Sequence, residues 1–454
     1  MLVGTEDMKK HLSLILRIAI AAAGLTYIGM NLEWKDQVTV PAVSADGTPR
    51  AHLLSDGTTI TLQKPENWRV VEGDLLGGEG NLTLESPTGK KKIIARSDIG
   101  GDPHDFHSRP SVTATLSHAS LGLLLIGLLI IGPIYIIQSY RWWLLMRARG
   151  LQCTVAKAFR LTMVGSFFNY CMPGSTGGDL VKAYYAAKNS DRRADSVMTV
   201  IFDRITGLIA LVIMAGLAGL FMIVATSAQW LTLTETQSNV VSQITLYIWL
   251  GLGAGFLGAI VYFSTRVRKM LGISGKLFRK LPGYSLFQKL DEAALAYKKH
   301  IGTVIATVLM SIPVHVTLAG ATALAGYALG MDTPLGLLMT VVPVLFLAAA
   351  VPLTYQGFGV MEPLAMLLLA SPGATANQII GMLLMIRFYQ IFYSLLGSLF
   401  LLRGDIHMHP EREEEMKDTG EGEAETAVAA TDAQADAQDA AEESADSAKA
   451  AMVS

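Results

Sequence analysis

The stretches Pro173-Gly174-Ser175-Thr176-Gly177-Gly178 and Pro352-Leu353-Thr354-Tyr355-Gln356-Gly357-Phe358-Gly359 each interrupt a long apolar segment. Hydrocarbon offers no hydrogen bonds to a peptide group, so non-helical backbone at membrane depth persists only where protein or a water-filled cavity surrounds it. Paired interruptions in a polytopic chain indicate a translocation pathway near the bilayer midplane. The two breaks therefore predict a cavity within a membrane domain, and with it a transport site.

The composition is that of an integral membrane protein. The chain has 454 residues, of which 51% are hydrophobic and 16% charged, and its mean hydropathy is +0.40. In soluble domains about a quarter of the residues are charged. The formal net charge of -2 conceals an asymmetry, because acidic residues concentrate after residue 404 and the rest of the chain is basic.

Six apolar segments are predicted to cross the membrane, since each approaches the ~20 residues that span a bilayer core. They are residues 12–30, 117–139, 197–226, 242–263, 301–329 and 376–402. Arg17 interrupts the first of them and no small-residue cleavage site follows, so we interpret it as an uncleaved anchor. The arms of segments 156–188 and 335–371, which carry the breaks, are only about 15 to 24 Å long. We expect these two segments to form re-entrant helical hairpins.

The predicted fold class is an all-α polytopic membrane protein with a small β-rich insert. Residues 1–30 would form the anchor, 31–115 the β-rich domain, 116–403 the transmembrane domain, and 404–454 an acidic tail. Alternating stretches such as Asn81-Leu82-Thr83-Leu84 favour strands in the insert. The tail has no aromatic residue and too little apolar surface to offset its ordering entropy, so we expect it to be disordered.

Lys and Arg residues set the expected orientation, because they accumulate in cytoplasmic loops. Arg141, Arg147 and Arg149 follow the second span, and further basic residues fill the loop at 264–300. Residues 330–336 carry none. We therefore expect both termini in the cytoplasm, the β-rich insert outside, and the two hairpins entering from opposite leaflets of the cell (inner) membrane of a bacterium.

Charged residues beyond the breaks are the candidate substrate-binding groups, because charge inside a membrane is costly unless it is paired or wet. They are Asp179, Lys182, Asp203, Arg204, Glu362 and Arg387. We expect Asp203 to pair with Lys182, and Arg387 to hold either Glu362 or a lipid phosphate, for which its planar guanidinium is suited. The alternative is that Asp179 is an ordinary helix cap and the pairs are purely structural.

Uncharged residues at the breaks complete the candidate site. Gly177 and Gly178 would let a head group approach the backbone, and Tyr355 and Gln356 would add hydrogen bonds. Such polar residues also commonly serve only to satisfy freed backbone groups. His315, a single polar residue in a span, is interpreted as packing against another helix.

The same motifs resemble the lysylphosphatidylglycerol synthase transmembrane, or flippase-like, family, which includes the membrane half of the bacterial multiple peptide resistance factor. The likeness covers roughly residues 117–402. It rests on Pro173-Gly174 with Gly177-Gly178-Asp179-Leu180-Val181-Lys182-Ala183-Tyr184, on Asp203-Arg204-Ile205-Thr206-Gly207-Leu208, and on Pro352 with Gly357-Phe358-Gly359-Val360-Met361-Glu362.

The resemblance implies a helical protein that moves phospholipids or lipid-linked head groups between leaflets. The large synthase relatives carry a soluble aminoacyl-transferase domain after the membrane part, which is not expected here, and the β-rich insert is not part of the family pattern. The expected partners are membrane lipids with anionic or lipid-linked head groups, and residues 31–115 could bind a protein; nucleic acid is not expected, and an oligomer is left open.

The motifs exclude several kinds of enzyme. Gly174-Ser175-Thr176-Gly177-Gly178 lacks the Lys-Ser/Thr ending of a nucleotide-binding loop, and no HExxH or GxSxG motif occurs. Cys153 and Cys171 have no metal-ligand or disulfide pattern, so no cofactor or metal is expected. A transporter is the preferred hypothesis; a membrane-embedded transferase on lipid-linked substrates and a non-transporting scaffold or sensor are the alternatives.

Overall fold

The computed structural model describes most of the chain between residues 22 and 402. The described residues are 22–23, 26–44, 46–76, 80–100, 105–171, 177–188, 192–230, 233–264, 292, 295–350, 355–371 and 373–402. Most of the expected anchor at 12–30, the expected acidic tail, and residues 172–176 and 351–354 of the two breaks lie outside them.

Helices dominate the described residues after 111. In chain order they are α1 (Val112–Ser117), α2 (Leu121–Ala148), α3 (Val155–Cys171), α4 (Gly177–Lys188), α5 (Arg193–Ser227), α6 (Glu235–Phe263), α7 (Ile301–Ala328), α8 (Leu335–Ala350), α9 (Met361–Leu369) and α10 (Ala376–Leu402).

Five helices among the described residues are long and apolar enough to cross a membrane. They span Leu121–Ala148, Asp195–Ser227, Glu235–Tyr262, Leu295–Ala328 and Ala376–Leu401. Five of the six predicted spans are thereby confirmed, and the fold is that of a multi-pass helical membrane protein. The sixth predicted span, residues 12–30, lies mostly outside the described residues.

The predicted β-rich insert is also confirmed. Its strands within the described residues are β1 (Gln37–Val40), β2 (Ala51–Leu53), β3 (Thr59–Thr61), β4 (Glu66–Glu72), β5 (Asn81–Glu85), β6 (Lys91–Ala95) and β7 (His107–Arg109). Five form an antiparallel sheet in the order β6-β5-β4-β1-β7, and β2 pairs with β3. Leu82 and Leu84 alternate with polar neighbours and are buried with Trp68, so the insert has its own core.

One end of the helical bundle carries this sheet domain. Asn377, in the first turn of α10, is 3% exposed. Its Oδ1 accepts the N–H of Glu33 at 2.9 Å, and its Nδ2 donates to the carbonyl oxygens of Glu33 and Pro110 at 2.9 and 2.8 Å. The chain segments that enter and leave the sheet domain, before β1 and after β7, are thus tied to one side chain. Ser120, just before α2, donates its N–H to the carbonyl of Ala328 at 2.8 Å.

The two broken segments form the helix pairs α3/α4 and α8/α9. The start of α3 lies beside the end of α2, where Trp143 Nε1 donates to the carbonyl of Cys153 at 2.8 Å. The segment before α8 lies near the sheet domain, since the N–H of Asp332 bonds the carbonyl of Gly373 at 2.7 Å, just before α10. The breaks touch each other through Gln356 Nε2, which is 3.4 Å from the carbonyl oxygen of Asn169.

Candidate functional site

A buried carboxylate joins three helices at the first break. Asp203 in α5 is 6% exposed. Its Oδ1 accepts a hydrogen bond from Arg141 Nε of α2 at 2.8 Å, and its Oδ2 lies 3.4 Å from Lys182 Nζ of α4. The contact between Asp203 and Lys182 that the sequence predicted is therefore present. A carboxylate shared by two cations is the arrangement that makes such burial tolerable.

Arg141 is the functional candidate that the sequence analysis missed. The predicted span ended at residue 139 and left Arg141 in a cytoplasmic loop, but α2 continues to Ala148 and buries Arg141 within the bundle. Arg141 Nη1 also donates to Ser311 Oγ of α7 at 2.6 Å. The available signal was that nothing between residues 139 and 150 ends a helix, because the first glycine there is Gly150.

The Lys182 ammonium has an aromatic as well as an acidic neighbour. Its Nζ lies 4.0 Å from the centroid of the Trp142 ring, a cation–π distance. Trp142 is fixed in turn by a 3.1 Å hydrogen bond from its Nε1 to Thr199 Oγ1. The 3.4 Å separation from Asp203 is longer than the 2.7–2.9 Å of a strong charged hydrogen bond. Lys182 is therefore the most loosely held cation of this group.

A second ion pair borders the first break. Arg204 Nε lies 2.6 Å from Asp179 Oδ2, and Arg204 Nη2 donates to Asp179 Oδ1 at 2.7 Å. This bidentate pair ties the first turn of α4 to α5. The Arg204 side chain is 57% exposed and that of Asp179 19%, so the pair faces the outside of the bundle. We call Arg141, Lys182, Asp203, Asp179 and Arg204 the first ionic cluster; its three cations outnumber its two carboxylates.

His315 lies beside the first ionic cluster. Its Nε2 is 3.2 Å from the carbonyl oxygen of Gly207, and the position that a Gly207 Cβ would take lies 3.1 Å from Arg141 Nη1. The other ring nitrogen, Nδ1, is buried and has no hydrogen-bond partner among the described residues. The helix contact expected of His315 is present, and the contact is with the segment that carries Asp203.

The second ionic cluster consists of Glu362 and Arg387. Glu362 is fully buried, and its Oε1 lies 2.6 Å from Arg387 Nη1 while its Oε2 accepts the N–H of Gly359 at 2.8 Å. The Arg387 Cζ lies 3.8 Å from the centroid of the Phe358 ring. Arg387 Nη2 reaches only the sulfur of Met361, at 3.6 Å, and Nε has no partner among the described residues. The guanidinium is thus buried with donor capacity unused.

The backbone of the second break adopts left-handed conformations. Gln356 has φ 52° and Gly357 has φ 72°, and left-handed backbone costs an ordinary L-residue roughly 1–2 kcal/mol. The Gln356 side chain reaches Asn169 at the end of α3, whose Oδ1 accepts the N–H of Gly178 at 2.9 Å. Gln356 therefore links the breaks. The side chain of Tyr355 lies outside the described residues.

The two ionic clusters are separate, and the contacts between the two helix breaks lie near both of them. No ion pair joins them within the part of the chain that the structure describes. Tyr170, next to Asn169, donates from its hydroxyl to Gln390 Oε1 at 2.8 Å, one turn after Arg387. Gly177 and Gly178 are buried at the start of α4. The described residues hold no group of His, Cys, Asp and Glu that could bind a metal ion.

The fold and the two ionic clusters define a multi-pass membrane protein whose broken helices bury charge. The family model for the lysylphosphatidylglycerol synthase TM region matches residues 110–397, which is more than half of the chain. The chain belongs to this family, as its sequence motifs predicted, and so to membrane proteins that handle lipids or their head groups. No curated protein matches the chain.

Proposed function

We propose that this protein is a flippase-like transporter that moves phospholipids or lipid-linked head groups between leaflets. One observation carries the proposal: the two helix breaks contact each other through Gln356 and Asn169, and an ionic cluster lies beside each break. Family membership supports a lipid substrate. Non-helical backbone and buried charge tolerate membrane depth only around a polar or wet passage.

In this proposal the pairs α3/α4 and α8/α9 are re-entrant hairpins that enter from opposite leaflets. The start of α3 lies beside the end of α2, and the segment before α8 lies near the sheet domain, as such a topology requires. The sheet domain would be extracytoplasmic, both termini cytoplasmic, and the protein would reside in a bacterial inner membrane. A head group would cross where the hairpin tips meet.

The charge of the first ionic cluster suits an anionic head group. A lipid phosphate would meet the exposed Arg204 first, since its guanidinium is already oriented by Asp179. Lys182 would then exchange its long contact with Asp203 for the phosphate, because the excess positive charge of the cluster is not neutralised by its carboxylates. Arg387, whose Nε has no partner among the described residues and whose Nη2 reaches only the Met361 sulfur, would receive the phosphate beyond the second break.

Lys182→Met tests the transport proposal, because it removes the ammonium but leaves the bond between Arg141 and Asp203. The protein is reconstituted in liposomes with fluorescent phosphatidylglycerol or phosphatidylethanolamine. Dithionite quenches only outer-leaflet lipids, so the rate at which the remaining fluorescence is lost measures movement from the inner to the outer leaflet. We expect the wild type to accelerate transbilayer movement, and Lys182→Met to slow it about tenfold, as loss of one charge-assisted hydrogen bond predicts.

The matched control is Lys188→Met, six residues later at the exposed end of the same helix, and it should keep the wild-type rate. The proposal is overturned if, for every head group, lipids cross the bilayer no faster in liposomes with the wild-type protein than in protein-free liposomes. Mass spectrometry of the lipids after the assay separates transport from chemistry, since a transferase would leave covalently altered lipids.

A further inference from the structure

A histidine lies near the middle of a membrane-spanning helix. His315 is midway along the 28 residues of α7, one of the helices that are long and apolar enough to cross a membrane. The sequence of α7 contains no Asp, Glu, Lys or Arg, and its other titratable residue, Tyr327, is close to its end. An ionisable residue within a membrane span is a candidate for function, because its burial there is costly.

The His315 ring is neutral and has one nitrogen that can take a proton. Its Nε2 lies 3.2 Å from the carbonyl oxygen of Gly207. Because a carbonyl can only accept, Nε2 carries the hydrogen and Nδ1 is bare. Nδ1 is buried and has no hydrogen-bond partner among the described residues. A proton bound to this ring would therefore be held at Nδ1.

The charged neighbour of His315 is Arg141 of the first ionic cluster. Arg141 Nη1 donates to Ser311 Oγ at 2.6 Å, one helical turn before His315. The same nitrogen lies 3.1 Å from the position of a Gly207 Cβ, and Gly207 is the residue that His315 contacts. Beyond Arg141, Asp203 of α5 accepts from Arg141 Nε at 2.8 Å. Helix α8, which also packs against α7, has no titratable residue.

The charge of the first ionic cluster decides when this histidine can be protonated. Without an anion in the cluster, a proton on His315 would add a second positive charge beside Arg141, which like-charge repulsion disfavours. An anionic head group in the cluster would remove that repulsion. Because such coupling is reciprocal, a head group that favours the proton is itself bound more tightly when the proton is present.

We infer that His315 takes up a proton at Nδ1 when an anionic head group enters the first ionic cluster, and that the two cross the membrane together. The inference rests on the transport proposal and names its energy source, a proton gradient. The proton comes from water on the side of entry, is held by the Nδ1 lone pair, and returns to water on the other side. One proton with one singly charged lipid forms a pair without net charge.

The pH dependence of lipid movement tests the inference. The protein is reconstituted in liposomes with short-chain fluorescent phosphatidylglycerol or phosphatidylethanolamine, and albumin extracts the lipid that reaches the outer leaflet. Movement of phosphatidylglycerol by the wild type should be about tenfold faster at pH 6 than at pH 8, because a lower pH favours the protonated ring and histidine ordinarily titrates near pH 6.5. Movement of phosphatidylethanolamine, whose head group has no net charge, should change less than about twofold.

His315→Gln separates this histidine from the other titratable groups of the cluster. Glutamine keeps an N–H donor for the Gly207 carbonyl but cannot take up a proton in this pH range. His315→Gln should therefore move phosphatidylglycerol at the same rate at pH 6 and at pH 8. The matched control is His300→Gln, at the exposed residue that precedes α7, and it should keep the pH dependence of the wild type.

Calorimetry measures the proton without relying on transport or on a variant. Short-chain phosphatidylglycerol is titrated into the solubilised wild-type protein at neutral pH, in two buffers of different ionisation enthalpy. The difference in heat gives the number of protons bound with each lipid, and we expect about one. Phosphatidylethanolamine should bind without proton uptake.

The inference is overturned if phosphatidylglycerol binds without proton uptake, or if His315→Gln keeps the pH dependence of the wild type. Lipid movement at a rate that does not change with pH would also overturn it and would leave the transport proposal standing. Conversely, proton uptake on binding without any lipid movement would refute transport and retain His315 as a proton site. If His315→Gln does not fold, proton uptake by the wild type decides the outcome.

Discussion

Individual buried charges are balanced differently at the two breaks. Glu362 has both oxygens occupied, one by Arg387 and one by the N–H of Gly359. This pair is neutral and could exist only to hold α9 against α10. Asp203, in contrast, faces both Arg141 and Lys182. The first cluster therefore holds one more cation than carboxylates, and in the transport proposal this excess positive charge receives the anionic head group.

A double-mutant cycle on Glu362 and Arg387 separates structure from transport at the second break. Glu362→Gln alone should cost about 3–5 kcal/mol, since it leaves a buried guanidinium unpaired. Glu362→Met combined with Arg387→Met should recover most of that loss, because apolar residues of similar size often replace a buried pair without penalty. The measurements are thermal unfolding and lipid movement in liposomes, with Glu235→Gln, exposed at the start of α6, as the control for losing a carboxylate.

We expect the Met pair to be stable and inactive, because Arg387 would no longer receive the head group. Transport at the wild-type rate by the stable double variant would show that Arg387 only holds the helices together, and would remove it from the pathway.

At the scale of helices, the pair α3/α4 depends on close backbone packing of one helix against the other. A Cβ on Gly178 would lie 1.7 Å from the carbonyl oxygen of Gly165, closer than any real contact. The N–H of Gly178 also bonds Asn169 Oδ1 at 2.9 Å. Asn169 in turn contacts Gln356, so this packing positions the place where the two breaks meet.

Gly178→Ala should force α3 and α4 apart and destabilise the protein by about 1–3 kcal/mol, the usual cost of overpacking. The expected signs are a lower Tm and faster hydrogen exchange in α3 and α4. Gly320→Ala in α7 is the matched control, because nothing lies within 4 Å of its new methyl group, and it should be neutral or slightly stabilising. Equal stability of both variants would contradict the packing argument.

Periodicity and length predicted most of these elements, because a span of hydrocarbon fixes how many apolar residues a crossing helix needs. The breaks were equally readable from their proline and glycine. Helix ends were harder to predict. Helix α2 extends beyond its apolar segment to Ala148, and the sequence therefore placed Arg141 in a loop instead of in the helix. The contact of Gln356 with Asn169, 187 residues apart, depends on tertiary packing that no local pattern encodes.

For the molecule as a whole, the decisive connection is between the sheet domain and α10. Composition predicted a sheet domain between two helical regions but not its attachment, since Asn377 is an unremarked polar residue in a helical first turn. Through Asn377 the domain is fixed to the helix that carries Arg387 ten residues later. The sheet domain and Arg387 of the second ionic cluster are therefore attached to the same helix.

Asn377→Ala should release the base of the sheet domain without unfolding its strands. The substitution leaves the N–H of Glu33 and the carbonyl of Pro110 without their side-chain partner, at a cost of about 1–3 kcal/mol for each buried group. Hydrogen exchange should therefore accelerate at residues 32–36 and 110–116 and stay slow in β4 and β5, which are held by the core around Trp68. Asn67→Ala, which removes only an exposed hydrogen bond to Thr39, should leave residues 32–36 and 110–116 unchanged. If residues 32–36 and 110–116 of Asn377→Ala exchange hydrogen at the wild-type rate, contacts other than those of Asn377 hold the sheet domain to the helical bundle.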